Sequence, residues 1–288
     1  MVNISTEVAT RLIEEQFPQW AHLKIRPVAQ SGHDNRTFHL GEQMTIRLPS
    51  GQEYVPQIEK EGKWLPFLAS NLSLPISRPL AQGKATGYYP FPWSVNVYVE
   101  GEPLSGCAIS EKVRIATQLS AFLKELQGVC PEGGPAAGAH NFFRGANPAV
   151  YSRQVASSLR DLEFVLPVRS IQEIWREAVA TEWNAAPVWL HGDVAPGNLL
   201  VKDGELCGVI DFGIMGVGDP ACDYAMAWTY FDGSSRRTFL QGLDTGTIAR
   251  ARGWALWKAL VTYRAPEPLV ADNARHTLNA ILREYSEE

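Results

Sequence analysis

The sequence predicts an α+β fold in two lobes, an antiparallel sheet with an accompanying helix followed by a mainly helical lobe. Three observations carry this. Strand-like alternation is concentrated in the stretch before Gly101. Helical spacing of apolar residues dominates from Ser110 onward. The chain has 288 residues, long enough for two lobes. Segregation of strands from helices argues against an alternating βαβ fold. The boundary is expected near Glu100–Leu104, giving residues 1–101 and 102–288.

Thr6 to Phe17 reads as a helix, with Val8, Leu12, Ile13 and Phe17 near one face and Ser5 or Thr6 able to cap it. The period then changes: "LKIRPVAQ", "RTFHLG" and "MTIRLP" alternate like strands and are divided by Gly32 and Gly41. "YVPQIEKEGKWLPFLAS" is helical again, and Pro66 is expected to end or kink it near Leu65. "WSVNVYVEG" is a strand that stops at Gly101. Val113, Ala116, Leu119, Leu123 and Leu126 then place a helix after Ser110, a plausible N-cap. "CPEGGPAAGAHNFFRGANP" is a long loop of the kind that is usually functional or disordered. Helices are expected at about 149–164 and 168–182, short strands around "VWLHGD", "NLLVKDG" and "LCGVIDFG", and helices beyond.

Composition excludes several function classes. Hydrophobic residues at 45% and charged residues at 20% are the balance of an ordinary globular protein. A formal net charge of −5 gives a nucleic-acid partner no electrostatic support. No stretch approaches the roughly 20 apolar residues of a membrane span. Cys107, Cys130, Cys207 and Cys222 include no C-x-x-C pair, so reduced thiols are expected. The N-terminal stretch has no basic, then apolar, leader pattern, and the expected location is the cytoplasm. Nothing in the sequence sets an oligomeric state.

The chemistry concentrates in "WLHGDVAPGNLLV" and "GVIDFG". Asp193, Asn198 and Asp211 are two carboxylates and an amide, hard oxygen donors of the kind that hold Mg²⁺ together with phosphate oxygens. An aspartate beside a hydroxyl can accept its proton and orient it for in-line attack on phosphorus. The pattern therefore divides into Asp193 as base and Asn198 and Asp211 as metal ligands.

"HGDVAPGN" followed by "IDFG" resembles the H-G-D-x-x-x-x-N and D-x-G pair of the aminoglycoside phosphotransferase family, relatives of the protein kinases. The spacing from Asp193 to Asn198 equals that of the kinase H-R-D-x-x-x-x-N loop, and Asp211-Phe212-Gly213 equals D-F-G. "GDPACDYAMAWTYF" is similar to the same family. The resemblance implies a two-lobed protein-kinase-like fold that uses ATP (or GTP) with Mg²⁺. It implies that Gly32, in "AQSGHDNRTF", lies in the loop over the phosphates, although that loop is not a full G-x-G-x-x-G. It implies that Arg47 contacts phosphates where most of the family has lysine, steadied by Glu61, with Glu59 as the alternative. The adenine would meet backbone groups from Val97 to Val99.

No G-x-x-x-x-G-K-[ST] occurs, and "GVGDPA" has no acidic residue about 20 positions on, so neither a P-loop nor a dinucleotide site is expected. His191 is expected to brace the loop rather than act as base. For the acceptor, Asp219 and Asp223 could reach substrate amines, or could cap a helix and tie their loop down. Trp228 and Trp257 could line a sugar pocket. Arg144, with His140 and Asn141, sits on the long loop that could close over the acceptor. The expected activity is ATP-dependent phosphorylation of a hydroxyl on a small molecule, an aminoglycoside-like antibiotic first. A choline, homoserine or sugar-amine type of alcohol, or a nucleotide-binding pseudokinase, are the alternatives.

Overall fold

A computed structural model describes residues 4–28, 34–108 and 111–287; Gly32 and Ser110 lie outside them. The chain separates into two compact units, Met1–Gly101 with Cys207–Gly213, and Glu102–Leu206 with Ile214–Glu288. The first break falls after Gly101. The segment 207–213, expected with the helical part, joins the first unit. There the Val209 amide donates to the Pro75 carbonyl, Ile76 and Val209 form a parallel bridge, and the Cys207 thiol reaches the Glu100 carbonyl.

The first unit opens with helix α1 (Thr6–Gln16), whose start is capped by the Ser5 side chain accepting from the Val8 amide. Strands β1 (Ile25–Pro27), β2 (Asn35–Leu40), β3 (Met44–Pro49), β4 (Pro79–Gly83) and β5 (Trp93–Val97) form a five-stranded sheet ordered β1-β2-β3-β5-β4. All its pairings are antiparallel. Period-2 alternation divides its faces. Phe38, Leu40, Ile46, Leu48, Trp93 and Val95 pack with Leu12 and Ile13 of α1 into one core cluster. The other face carries polar groups: Thr37 pairs with Arg47, and Arg47 with Ser94. Strand β4 was not anticipated; "PLAQG" begins with proline and has no clear alternation.

Helix α2 (Val55–Ala69) passes through Pro66 instead of stopping near Leu65. Proline removes the bond to the residue four positions back and crowds that carbonyl, yet three residues follow it in the helix. Leu65 and Leu68 are both fully buried, so packing on either side of the proline holds the last turn.

The second unit runs from β6 (Glu102–Pro103) through α3 (Lys112–Gly128), α4 (Ser152–Asp161), α5 (Val168–Ala180), β7 (Val188–Leu190) and β8 (Leu199–Lys202). Strand β9 (Glu205–Val209) spans the division between the units. β10 (Gly216–Gly218), α6 (Met226–Thr229), α7 (Gly233–Leu240), α8 (Thr245–Thr262) and α9 (Pro268–Glu287) complete the fold. β7 and β10 pair antiparallel, Trp189 opposite Val217. α8 is buried nearly all round, from Arg250 to Leu260, and is the axis of this unit. Among the described residues no helix is long and apolar enough to cross a membrane.

Close packing in the sheet generates a direct test. A Cβ at Gly83 would lie 2.0 Å from the ring of Trp93, a rigid and fully buried side chain. Gly83→Ala should therefore cost about 1–3 kcal/mol of stability, as overpacking does. Urea unfolding should show a lower midpoint at unchanged slope.

Candidate active site

In the second unit, β7 delivers the chain into His191-Gly192-Asp193. Gly192 sits at φ 87, and a Cβ there would meet the Ile214 carbonyl at 2.5 Å. Both facts require glycine between the histidine and the aspartate. The turn Pro196–Asn198 follows. It returns Asn198 to Asp193, where Nδ2 donates to the Asp193 carbonyl at 2.9 Å and to Oδ2 at 3.1 Å. The five-residue spacing is thus the length of one such turn. The Asp193 carboxylate is exposed, while its own amide donates to His191 Nδ1 at 3.1 Å. His191 is fully buried, so its ring acts as a brace. With Nδ2 committed to Asp193, the Oδ1 of Asn198 is the atom left for a cation.

Behind this loop lies Asp223, 1% exposed. Its two oxygens accept the His191 and Gly192 amides, each at 2.7 Å. Burial pushes the Asp223 carboxyl up, and His191 and the two amides pull it back. On the opposite side Arg144 Nε donates to the Gly192 carbonyl at 2.9 Å. Asp219 is buried too. It caps the following turn by accepting from the Ala221 amide, and it pairs with Arg250 at 2.6 Å. Burial raises its pKa against the pull of Arg250. Of the two readings open for Asp219 and Asp223, the structure places both in capping and loop bracing, which leaves neither carboxylate for a substrate amine. Trp228 is fully buried with Nε1 on Glu284, so it is no wall of a sugar pocket. Trp257 stacks on Tyr151 at 3.8 Å.

The long loop is not a free lid. Ala136 bridges Val217, and the Val217 and Asp219 amides donate to Pro135 and Gly145. Asn141, fully buried, accepts from Gly138 and donates to the Arg144 carbonyl. His140 holds the Ala136 carbonyl. The loop packs on the β7–β10 ribbon and presents Arg144 to Gly192. The sequence offered no sign of this bond beyond an arginine between aromatic residues and a glycine.

In the first unit, Arg47 on β3 meets Glu61 on α2. Nη1 lies 2.9 Å from both carboxylate oxygens, and Nη2 lies 3.4 Å from Asp211. Glu59, the alternative partner, is exposed. Burial works to lower the Arg47 pKa, but Glu61 and then Asp211 outweigh it and hold the guanidinium above its ordinary range. Asp211 is in the left-handed region at φ 64, a strained conformation for a non-glycine residue and one found at functional sites. Its side chain is 50% exposed, unlike the enclosed pair beside it. An ion that takes one carboxylate together with phosphate oxygens and waters needs no closed protein cage, and the Asp211 carboxylate is a donor of that kind. Among the described residues no three His, Cys, Asp or Glu side chains gather to form such a cage.

At the end of β5 the Val97 amide donates to Arg78 and the Tyr98 amide to Gln43. The Val99 amide makes no hydrogen bond among the described residues. A cavity of about 1130 Å³ opens here, lined in part by Arg26, His39, Met44, Val97, Tyr98 and Glu100.

Comparison with known proteins agrees with this architecture. A sequence model of the phosphotransferase enzyme family matches residues 24–260. A protein of Bacillus subtilis (strain 168), the uncharacterized protein YcbJ, is 23% identical over 231 residues, covering 75% of this chain and 71% of that one. The GDP complex of wild-type aminoglycoside 2'-phosphotransferase-IIIa superposes with a TM-score of 0.72 at 19% identity, over 99% of both chains. The streptomycin–ATP complex of APH(2")-IIa gives 0.61 at 21%, over 97% of each. Macrolide 2'-phosphotransferase MphH of Brachybacterium faecium gives 0.64 at 18%, over 95% of this chain and 97% of that one. The shared fold is that of the kinase-like phosphotransferases.

Two outcomes are expected from the first unit. Glu61→Gln leaves a buried cation under-compensated and should cost about 3–5 kcal/mol, whereas the double change Arg47→Met with Glu61→Leu should recover much of that loss; urea unfolding measures both. Lys60, beside Glu61, is pushed by burial from its ordinary 10.5 down to about 8. Between those values the unfolded chain binds a proton that the folded chain has released. Stability should therefore rise with pH from about 8 to 10.5, and Lys60→Met should flatten that rise.

Proposed function

Because the chain belongs to the phosphotransferase enzyme family, we propose that it transfers the γ-phosphoryl group of ATP to a hydroxyl of a small molecule. The observation that carries this is Asp193. It is an exposed carboxylate on a loop whose backbone is held from within by His191, Asp223 and Arg144 and whose side chain is oriented by Asn198. A fixed, solvent-facing carboxylate suits the acceptance of a proton from an incoming hydroxyl, with the oxygen then attacking phosphorus in line. Arg47, kept charged by Glu61, would meet the nucleotide phosphates, and the base would sit against Val97 to Val99. Asn198 Oδ1 and Asp211 would hold Mg²⁺, which when bound with nucleotide neutralises phosphate charge. The intact trio of Asp193, Asn198 and Asp211 weighs against a pseudokinase that only binds nucleotide.

An aminoglycoside-like acceptor is the first reading, supported by the likeness to enzymes solved with streptomycin or kanamycin. A neutral or anionic metabolite alcohol is the second. It is favoured because Asp219 and Asp223 are taken by internal partners while a cation, Arg144, stands next to the base loop. A polyamine sugar needs carboxylates of its own, since unpaired charge is costly to bury.

Asp193→Asn should leave folding and Mg-ATP affinity nearly unchanged and cut turnover by about 10²-fold or more; retained activity would remove Asp193 from the role of base. Asp211→Ala should abolish tight Mg-ATP binding in calorimetry, and Arg47→Lys should keep part of the affinity that Arg47→Ala loses. Turnover of ATP across aminoglycosides, choline, homoserine and macrolides decides between the two acceptor classes.

A further inference from the structure

We propose that Arg144 is a positioning residue, the clamp that fixes the peptide between Gly192 and Asp193 and so aims the candidate base. The proposal rests on the reading of Asp193 given above and reassigns Arg144 from acceptor contact to support of the loop.

Gly192 is held on both sides by charged groups. Its amide donates to Asp223 Oδ1 at 2.7 Å, and its carbonyl accepts from Arg144 Nε at 2.9 Å. A glycine at φ 87 has no side chain to resist rotation of the adjoining peptide planes. The Gly192 carbonyl and the Asp193 amide share one plane, so whatever holds that carbonyl also sets the direction in which Asp193 leaves the loop. Asp223 grips the preceding plane; Arg144 grips this one.

Arg144 is itself built in. Its guanidinium carbon lies 4.6 Å from the centre of the Trp254 ring and 5.1 Å from that of Trp257, both on α8. Desolvated cations gain from such faces. Trp257 is in turn stacked on Tyr151, whose hydroxyl donates to the Phe142 carbonyl two residues before Arg144. Asn141 ties the Arg144 carbonyl from behind at 2.9 Å. Phe142 and Phe143 both take the left-handed conformation, at φ 50 and φ 55, a strain that persists where the surroundings over-determine a segment. Among the described residues Arg144 makes no ion pair and its buried Nη1 has no partner. The guanidinium is therefore held for one hydrogen bond, that of Nε to Gly192, and the aromatic slot sets its height. Misplacing a reacting group by about 1 Å costs on the order of 10²-fold in rate, which is the scale on which such a clamp matters.

The test compares wild type with Arg144→Gln and Arg144→Lys by amide hydrogen exchange and by steady-state kinetics. Exchange at the Asp193 amide should rise about tenfold or more in Arg144→Gln while α5 and α8 keep their protection, the pattern of a local opening. With whichever alcohol the acceptor screen turns over, kcat should fall by about 10²-fold with KM for ATP unchanged. Arg144→Lys, which keeps the cation over the tryptophans, should lie between, and it carries the same two readouts if the glutamine variant does not fold. A uniform loss of protection throughout the unit, or unchanged exchange at Asp193, overturns the proposal. So does a kcat equal to wild type. If wild type phosphorylates no alcohol, the phosphotransferase reading fails while exchange at Asp193 still decides the clamp.

Discussion

Two hydrogen bonds of 2.7 Å, from the His191 and Gly192 amides to the Asp223 carboxylate, set the course of the chain through the candidate site. A buried carboxylate that accepts two backbone donors is stable only where both donors are held in place. Here β7 leads in and the glycine turn leads out, so the carboxylate fixes where the strand ends and Asp193 begins. Buried His191 follows from the same bonds, and its Nδ1 takes the Asp193 amide. Asp193 itself is left exposed beside buried His191 and Gly192.

The first unit solves a parallel problem with a cation. Arg47 lies on the polar face of a sheet whose other face is packed against α1. Removing a guanidinium from water is costly unless it is paired, and Glu61 supplies the pair from α2. The second carboxylate, Asp211, is drawn to 3.4 Å yet remains half exposed. This arrangement keeps one acidic group turned outward beside a fixed positive charge.

Much of this was legible in the sequence because short spacing encodes local geometry. Asp193 and Asn198 are joined by a single turn, and β2 and β3 of the first unit carry apolar residues at alternate positions. Arg47 and Glu61 were readable as a pair only through the family resemblance, since they are far apart in sequence. The errors have physical causes. Pro66 does not stop α2, because Leu65 and Leu68 are buried on both sides of it. The segment 207–213 joins the sheet-bearing unit through backbone bonds to Pro75 that no side-chain pattern announces. Trp228 looked like a sugar platform and is a fully buried donor to Glu284. The bond of Arg144 to Gly192 was not legible, because it depends on how the glycine-rich loop folds onto the β7–β10 ribbon.

Transfer of phosphate to an alcohol, and not to water, is the activity proposed for this chain. The direct measurement follows γ-phosphate by phosphorus NMR while the protein, Mg²⁺ and ATP turn over in the presence of a panel of alcohols. Such transfer yields a phosphomonoester resonance that grows in step with ADP for at least one alcohol. Free phosphate as the sole product with every alcohol, or no consumption of ATP at all, would contradict it.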